Sequence, residues 1–245
     1  MTRPRTLVTG GTRGIGAAIA HRLARAGHDL VLGYAQDDAA AELAEADVEA
    51  SGGACTLVRT DLLRPDGVEE LFAAAGDLTG VVNNAGATFH IGPLAETPVE
   101  VIRRTVDLNL TTAILVARAA VRALSTTYGG PGGVLVNISS GAATRGAPGE
   151  YVQYAAAKAG VDALTLGLAE EVADQGVRVV GVAPGMIRTT IHADAGEPGR
   201  LERVAPLIPM QRAGEPAEVA EAVAWLMSDA ASYVTGTTLR VAGGR

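Results

Sequence analysis

Thr6-Leu7-Val8-Thr9-Gly10-Gly11-Thr12-Arg13-Gly14-Ile15-Gly16 is the stretch from which the rest of the chain can be read. Thr6 to Thr9 is a short apolar strand, and glycines crowd the residues after it. A helical pattern then runs through Arg25 and stops at Gly27. Strand, glycine turn and helix in that order are what a nucleotide-phosphate loop requires. Glycines adopt backbone angles closed to other residues and let phosphates approach closely, while the helix N-terminus supplies free N–H groups and a favourable dipole. The spacing is Gly10-x-x-x-Gly14-x-Gly16, which differs from the more familiar Gly-x-Gly-x-x-Gly.

The same alternation continues downstream. Strands are expected over Leu30–Tyr34, Thr56–Arg59, Gly80–Val82, Val134–Ile138, Arg178–Val182 and Thr238–Val241. Between them lie helical patterns at about Ala39–Ala50, Val68–Ala75, Thr97–Leu124, Tyr151–Asp174 and Pro216–Met227, with a break expected near Asn109 in the third and a stop at Gly176 after the fourth. Thr97-Pro98-Val99-Glu100 reads as a helix start with Thr97 at the cap. Repeated strand–helix units predict a doubly wound α/β fold, a parallel sheet covered by helices on both faces. Met186–Gly214, with prolines at 198, 206 and 209, has little strand character and the length of a lid over a site.

Composition narrows the function. At 245 residues the chain fits one large α/β domain, 1–245, better than two small ones. Nearly half the residues are apolar, 48%, yet only 3% are aromatic, so the interior is aliphatic and alanine-rich. A net charge of −7 argues against nucleic acid or an anionic membrane as the main partner. The single cysteine, Cys55, excludes an intramolecular disulfide and fits a reducing compartment, and no apolar run is long enough for a bilayer span. A cytoplasmic protein is expected. No Cys/His/Asp cluster has metal-ligand spacing.

Chemistry is expected at Tyr154-Ala155-Ala156-Ala157-Lys158. Residues four apart share one helix face, so phenol and ammonium project into the same space. Lys158 is the only lysine in the chain, and every other side-chain cation of the Lys/Arg type is arginine. A compact ammonium has three rotatable donors, and a cation within a few ångströms lowers a phenol from about 10 by roughly 1–3 units. Tyr154 is thereby expected to come into the range of an acid–base catalyst. Tyr151 has Ala155 four residues on and cannot form the same pair.

With Thr9-Gly10-x-x-x-Gly14-x-Gly16, Asn83-Asn84-Ala85-Gly86, Asn109, Ser140, Tyr154-x-x-x-Lys158 and Pro184-Gly185 in this order, the chain resembles the classical short-chain dehydrogenase/reductase family over essentially its whole length. The resemblance implies a Rossmann-type sheet and a catalytic set of Asn109, Ser140, Tyr154 and Lys158. The tyrosine is then the acid or base, and the lysine binds the nicotinamide ribose and lowers the tyrosine. The serine polarises the carbonyl, and the asparagine holds a water in the proton relay. It implies a cofactor site of Gly10, Thr12, Arg13, Gly14, Ile15, Gly16, Tyr34, Asp61, Leu62, Asn84, Ala85, Gly86, Tyr154, Lys158, Pro184, Gly185, Ile187 and Thr189. The commonest family spacing would put the serine at position 141, which is Gly141 here, so the loop to Tyr154 is one residue longer and Ser139 is a second contender.

The strand expected to end at Tyr34-Ala35 carries no carboxylate for adenosine ribose hydroxyls, and Asp37 and Asp38 are expected to turn into solvent. Arg13 is the available cation. NADP(H) is therefore expected over NAD(H), in a ketoreductase acting on a small carbonyl or secondary alcohol. A sugar 1-dehydrogenase and a catalytically silent nucleotide sensor are the rival readings. Small residues along the helix, Ala155, Ala159, Gly160, Ala163 and Gly167, permit close helix pairing, and a homotetramer, or a homodimer, is expected.

Overall fold

The structure is a computed structural model that describes residues 3–245. Seven parallel strands form one sheet in the order β3-β2-β1-β4-β5-β6-β7. They are β1 Arg5–Thr9, β2 Asp29–Tyr34, β3 Cys55–Arg59, β4 Gly80–Asn83, β5 Gly133–Ile138, β6 Val177–Pro184 and β7 Thr238–Val241. The helices are α1 Gly14–Arg25, α2 Asp38–Ala50, α3 Gly67–Ala75, α4 Val99–Val106, α5 Thr112–Leu124, α6 Ala142–Arg145, α7 Val152–Val172, α8 Arg200–Val204 and α9 Pro216–Met227. The expected strands and long helices are all present, with boundaries shifted by a residue or two.

Strand alternation sorts the core into two layers. Val8, Leu30, Leu32, Val82, Val136 and Val180 face α1 and α9, packing with Ile19, Leu23, Val219 and Val223. Their neighbours Leu7, Val31, Val81, Leu135 and Val179 face the other way, onto Leu71 of α3, Val116 and Leu124 of α5 and Val172 of α7. Each such side chain withdrawn from water contributes about 1.5–3 kcal/mol before conformational entropy is set against it.

A polar chain crosses this apolar interior. Asn83 Nδ2 donates to Asn137 Oδ1 at 3.0 Å and to Ala113 O at 2.9 Å, and Asn137 Nδ2 donates to Thr165 Oγ1 at 3.0 Å. These residues are buried. Because an unpaired buried amide costs about 1–3 kcal/mol, the chain holds β4, β5 and α7 in one relative position.

Strand order reverses between β1 and β4. At such a switch point the connections leave to opposite sides and a crevice opens beyond the carboxyl ends of the strands. Two departures from expectation lie near it. Thr97 does not cap α4, because its Oγ1 donates to Pro93 O at 3.0 Å and closes the preceding turn, leaving the helix to begin after Pro98. The long helix is interrupted, as expected near Asn109, by a π-turn at Asp107–Thr111 between α4 and α5. The wider turn is where Asn109 leaves the helical ladder to meet another segment.

Candidate active site

The glycine turn forms one wall of a cleft of about 810 Å³ over the carboxyl ends of the strands. Gly10 and Gly14 have φ of +61° and +52°, where a side chain is strained, and a Cβ on Gly16 would lie 2.0 Å from Gly10 O. Only glycine closes the turn this tightly. Thr9 Oγ1 accepts from the N–H groups of Asn84 and Ala85 at 2.9 and 3.0 Å, while Asn84 Nδ2 donates to Thr9 O at 2.9 Å and Gly10 O at 3.1 Å. The loops after β1 and β4 are thus fastened across the switch point. No side chain caps α1, whose first-turn N–H groups open on the cleft beside Thr12, Gly14, Ile15 and Gly16. An uncapped helix start in a cradle that a Cβ would fill suits a dinucleotide's phosphates.

Every residue expected to touch a cofactor lines this cleft, from Arg13 and Tyr34 through Asp61, Leu62, Ala85 and Gly86 to Pro184, Gly185, Ile187 and Thr189. Asp37 and Asp38 are exposed, as expected, and each is also held by a donor. Asp37 Oδ1 accepts from Ala40 N at 3.0 Å and caps α2, with its other oxygen 3.8 Å from Arg13. Asp38 accepts from the Tyr34 hydroxyl and from Arg59, each at 3.0 Å. Both carboxylates stay exposed, at 41% and 56% of the side chain, while donors that the fold brings to the end of β2 hold them in place.

At the centre of the cleft stand Ser140, Tyr154 and Lys158. Lys158 is buried and donates from Nζ to Ile138 O at 2.9 Å. Its Nζ lies 5.8 Å from the Tyr154 ring centroid. The two adjacent serines part company as strand alternation requires. Ser139 is buried and donates to Lys158 O at 3.2 Å, whereas Ser140 Oγ accepts from Ala142 N at 3.1 Å at the mouth of α6 and keeps its own proton free. Asn109 comes to the same place from behind. Its Nδ2 donates to Ala87 O at 2.7 Å and Thr105 O at 2.9 Å, and its Oδ1 accepts from Ala87 N at 3.2 Å. It backs the cleft and does not line it. Gly86 is squeezed between, since a Cβ there would lie 2.7 Å from Asn109 Oδ1 and 3.3 Å from Lys158 Nζ.

The expected lowering of Tyr154 by Lys158 is not what this geometry produces. Burial holds the phenol well above its ordinary value, with the Ser140 hydroxyl opposing the rise. The ammonium points at a carbonyl and is itself pushed down to about 8 by burial. Tyr154 is therefore a protonated acid at neutral pH, and Lys158 a cation that holds its proton less firmly than an ordinary lysine.

Residues 10–245 match the family model described as Enoyl-(Acyl carrier protein) reductase. The chain is 44% identical over 243 residues to an uncharacterized oxidoreductase, YgfF, of Escherichia coli K12, with 98% of each chain covered. It is 35% identical to glucose 1-dehydrogenase 2 of Bacillus subtilis 168, covering 100% of this chain and 95% of that one. The solved structure of a levodione reductase superposes with a TM-score of 0.91 at 30% identity, over 100% of this chain and 98% of the other. The chain belongs to the short-chain dehydrogenase/reductase family. It is accordingly an oxidoreductase acting on alcohol and carbonyl groups with a nicotinamide cofactor.

Around the family's catalytic positions lies a cluster with no motif in the sequence. Arg200 of α8 is only 2% exposed. It bonds Glu150, Glu197 Oε2 at 2.7 Å and the Tyr151 hydroxyl at 2.9 Å, with its guanidinium 4.9 Å from the Tyr151 ring centroid. Tyr151 in turn meets Tyr154 edge-on at 5.5 Å and stacks on His192 at 6.3 Å. Burial, aided by Arg200, pushes His192 down to about 4, so the ring is neutral. Glu150 and Tyr151 precede the catalytic helix, and Glu197 and Arg200 belong to the segment 186–214, so the cluster ties that segment to α7. No local signal marks it, because its members are far apart in sequence and ordinary in type.

Burial raises Glu150 and Glu197, but bonds from Arg200 and Arg203 outweigh it and leave both carboxyls below their ordinary 4.5. Stabilisation of this kind is present above the ordinary carboxylate value and lost as pH falls through the lowered ones. Breaking a buried ion pair by removing one partner costs about 3–5 kcal/mol. Arg200→Met is expected to speed proteolytic nicking between residues 187 and 214 about tenfold or more at pH 7. The unsubstituted protein should approach that rate only in acid, below the ordinary carboxylate range. Equal nicking rates at pH 7 would show that Arg200 does not hold the segment.

Proposed function

We propose that the protein is an NADP(H)-dependent carbonyl reductase or secondary-alcohol dehydrogenase. Residues 1–245 would form one nicotinamide-binding domain, with 186–214 as its lid. The observation that carries this reading is the convergence of Ser140, Tyr154 and Lys158 beside the glycine cradle, all lining one cleft. When bound, the nicotinamide supplies or takes up the hydride. In reduction, Tyr154 gives its phenolic proton to the substrate oxygen, a role for which a protonated phenol is the correct starting form. Ser140, anchored through Ala142 N, directs its own hydroxyl at that oxygen and stabilises developing negative charge. Lys158 places a positive charge behind the phenol, and its remaining donors would hold the nicotinamide ribose. The side-chain amide of Asn109 is spent on Ala87 and Thr105, so its contribution to the proton relay is to hold Gly86 and Ala87 against Lys158.

Ser140→Ala is expected to reduce kcat by about a hundredfold or more with cofactor affinity little changed. Ser139→Ala, which loses only a bond to helix backbone, should be milder. The reverse ranking in steady-state kinetics would exchange the two assignments.

The phosphate preference rests on the end of β2. Arg13 is 61% exposed in its side chain and stands at the cleft, while Asp37 is committed to its cap and Asp38 to Tyr34 and Arg59. A charge-assisted phosphate contact is worth about 1.5–3 kcal/mol, or roughly ten- to a hundredfold. Arg13→Ala should raise the NADPH dissociation constant by about that factor and leave NADH nearly unchanged. Tighter NADH than NADPH binding by the unsubstituted protein, measured by calorimetry, would reverse the assignment.

Sugar oxidation is the second reading, supported by similarity to glucose 1-dehydrogenase 2. A panel of ketones and aldoses, followed by absorbance of the reduced nicotinamide, separates the two, and cofactor binding with no turnover would indicate a sensor. A cytoplasmic location accompanies either enzyme reading. None of the described helices is long and apolar enough to cross a membrane.

A homotetramer is part of the proposal. Ile114 and Leu115 on α5 and Leu166 on α7 are exposed at 43%, 40% and 52%, and Ala156, Ala159, Ala163 and Gly167 are exposed on α7. Apolar and small side chains together allow two copies of these helices to approach closely and cover one another. Light scattering at micromolar concentration should give four times the chain mass. A monomeric mass would refute the assembly.

A further inference from the structure

Charge around the substrate half of the cleft is unbalanced. Arg104, Arg145, Arg200 and Arg245 line it, against Glu150 and Asp194. Glu150 is spent on Arg200 and Arg203, and Asp194 accepts from Thr190 Oγ1 at 2.9 Å. The other three guanidiniums have no carboxylate partner among the described residues. This occurs in a chain of net charge −7.

Three different elements deliver these cations. Arg145 ends α6, the short helix that begins just after Ser140, and Arg240 holds the neighbouring Thr144 by a hydrogen bond to its Oγ1. Arg245 follows β7. It lines the same cleft as Tyr151, whose phenol is raised by burial with Arg200 and Arg245 opposing the rise. Arg104 lies on α4 with its guanidinium 4.4 Å over the Phe89 ring. The phosphate cradle at Gly10–Gly16 is reached from β1, on the far side of the switch point from β6 and β7. Cofactor phosphates therefore do not account for Arg145 and Arg245. Unpaired cations converging on a cleft focus its field and draw an anion toward it even when the protein as a whole is acidic.

We propose that the substrate carries, besides the carbonyl or alcohol carbon, a carboxylate or phosphate group bound by Arg145 and Arg245, with Arg104 adding to the attraction. This deepens the oxidoreductase reading and rests on it. Arg200 is excluded from the binding role because its charge is already matched by Glu150 and Glu197.

The test uses matched substrates: a neutral ketone, the keto acid of the same chain length, and the corresponding keto phosphate. With NADPH, kcat/KM for an anionic member should exceed that for the neutral one by about tenfold or more, and the better anion identifies the group. The advantage should shrink when salt rises from about 0.02 M to about 0.5 M, because exposed charges are screened over that range. Arg145→Ala and Arg245→Ala should each lower the anionic-to-neutral ratio by about tenfold. Arg25→Ala, which removes the same charge from the exposed end of α1, should leave the ratio unchanged. Equal turnover of neutral and anionic ketones, or a preference insensitive to salt and to both substitutions, overturns the inference while leaving the oxidoreductase reading intact. Absence of turnover on every pair counts against that reading instead. The same compounds are then ranked by thermal shift with NADP+ present, and a shift no larger for the anion than for the neutral ketone overturns the inference as well.

Discussion

The bond from Lys158 Nζ to Ile138 O, 2.9 Å long and buried, is the constraint on which the centre of the molecule depends. An ammonium withdrawn from water must find acceptors, and the last carbonyl of β5 is the one that α7 brings within reach. The return bond from Ser139 Oγ to Lys158 O fastens strand to helix a second time. Strand alternation then turns the next residue, Ser140, toward the cleft, on the side where Tyr154 stands one helical turn before the lysine. A guanidinium could not occupy this place on the same terms, because its planar fork needs more room than Gly86 leaves beside Asn109 and Nζ. That requirement accounts for a lysine at this position in a chain otherwise supplied with arginine.

The parallel sheet makes the convergence possible. All seven strands point their carboxyl ends at one edge, so the turns after β1, β3, β4, β5 and β6 open on one cleft. Those turns were legible in the sequence because each depends on local chemistry: glycines that alone tolerate positive φ, an asparagine that bridges backbone, and a helix begun without a cap. The spacing of Tyr154 and Lys158 was legible for the same reason, since a helix converts four residues into one face. The choice between the two serines was less legible. Their loop is a residue longer than the common pattern, and only the opposite directions of Ser139 and Ser140 separate them.

What sequence did not disclose depends on contacts between distant segments. Thr97 has the right neighbours for a cap, yet an acceptor at Pro93 competes for its hydroxyl. Asp37 and Asp38 are the solvent-facing acids their sequence suggests, but the partners beside them, Arg59 brought by β3 and Arg13 by the glycine turn, have no local signal. The Tyr154 environment was misjudged because sequence shows the cation four residues away but not the burial that outweighs it. Desolvation is a property of everything packed around a group, and no local pattern encodes it.

Arg200 shows how the side of the cleft formed by the segment 186–214 meets the same physics. A guanidinium on a side chain only 2% exposed would be very costly alone, and here two carboxylates and a phenol surround it. Its charge and that of Arg203 are matched by Glu150 and Glu197, so the group as a whole is neutral and exerts little pull on a substrate. Such a buried network adds little to stability compared with apolar packing, but it is demanding in geometry, since displacement of any member leaves the others unpaired. Tyr151 transmits that demand to the reacting centre, because its hydroxyl is held by Arg200 while its ring stands edge-on to Tyr154. The position of the segment 186–214 is thereby coupled to the position of the phenol.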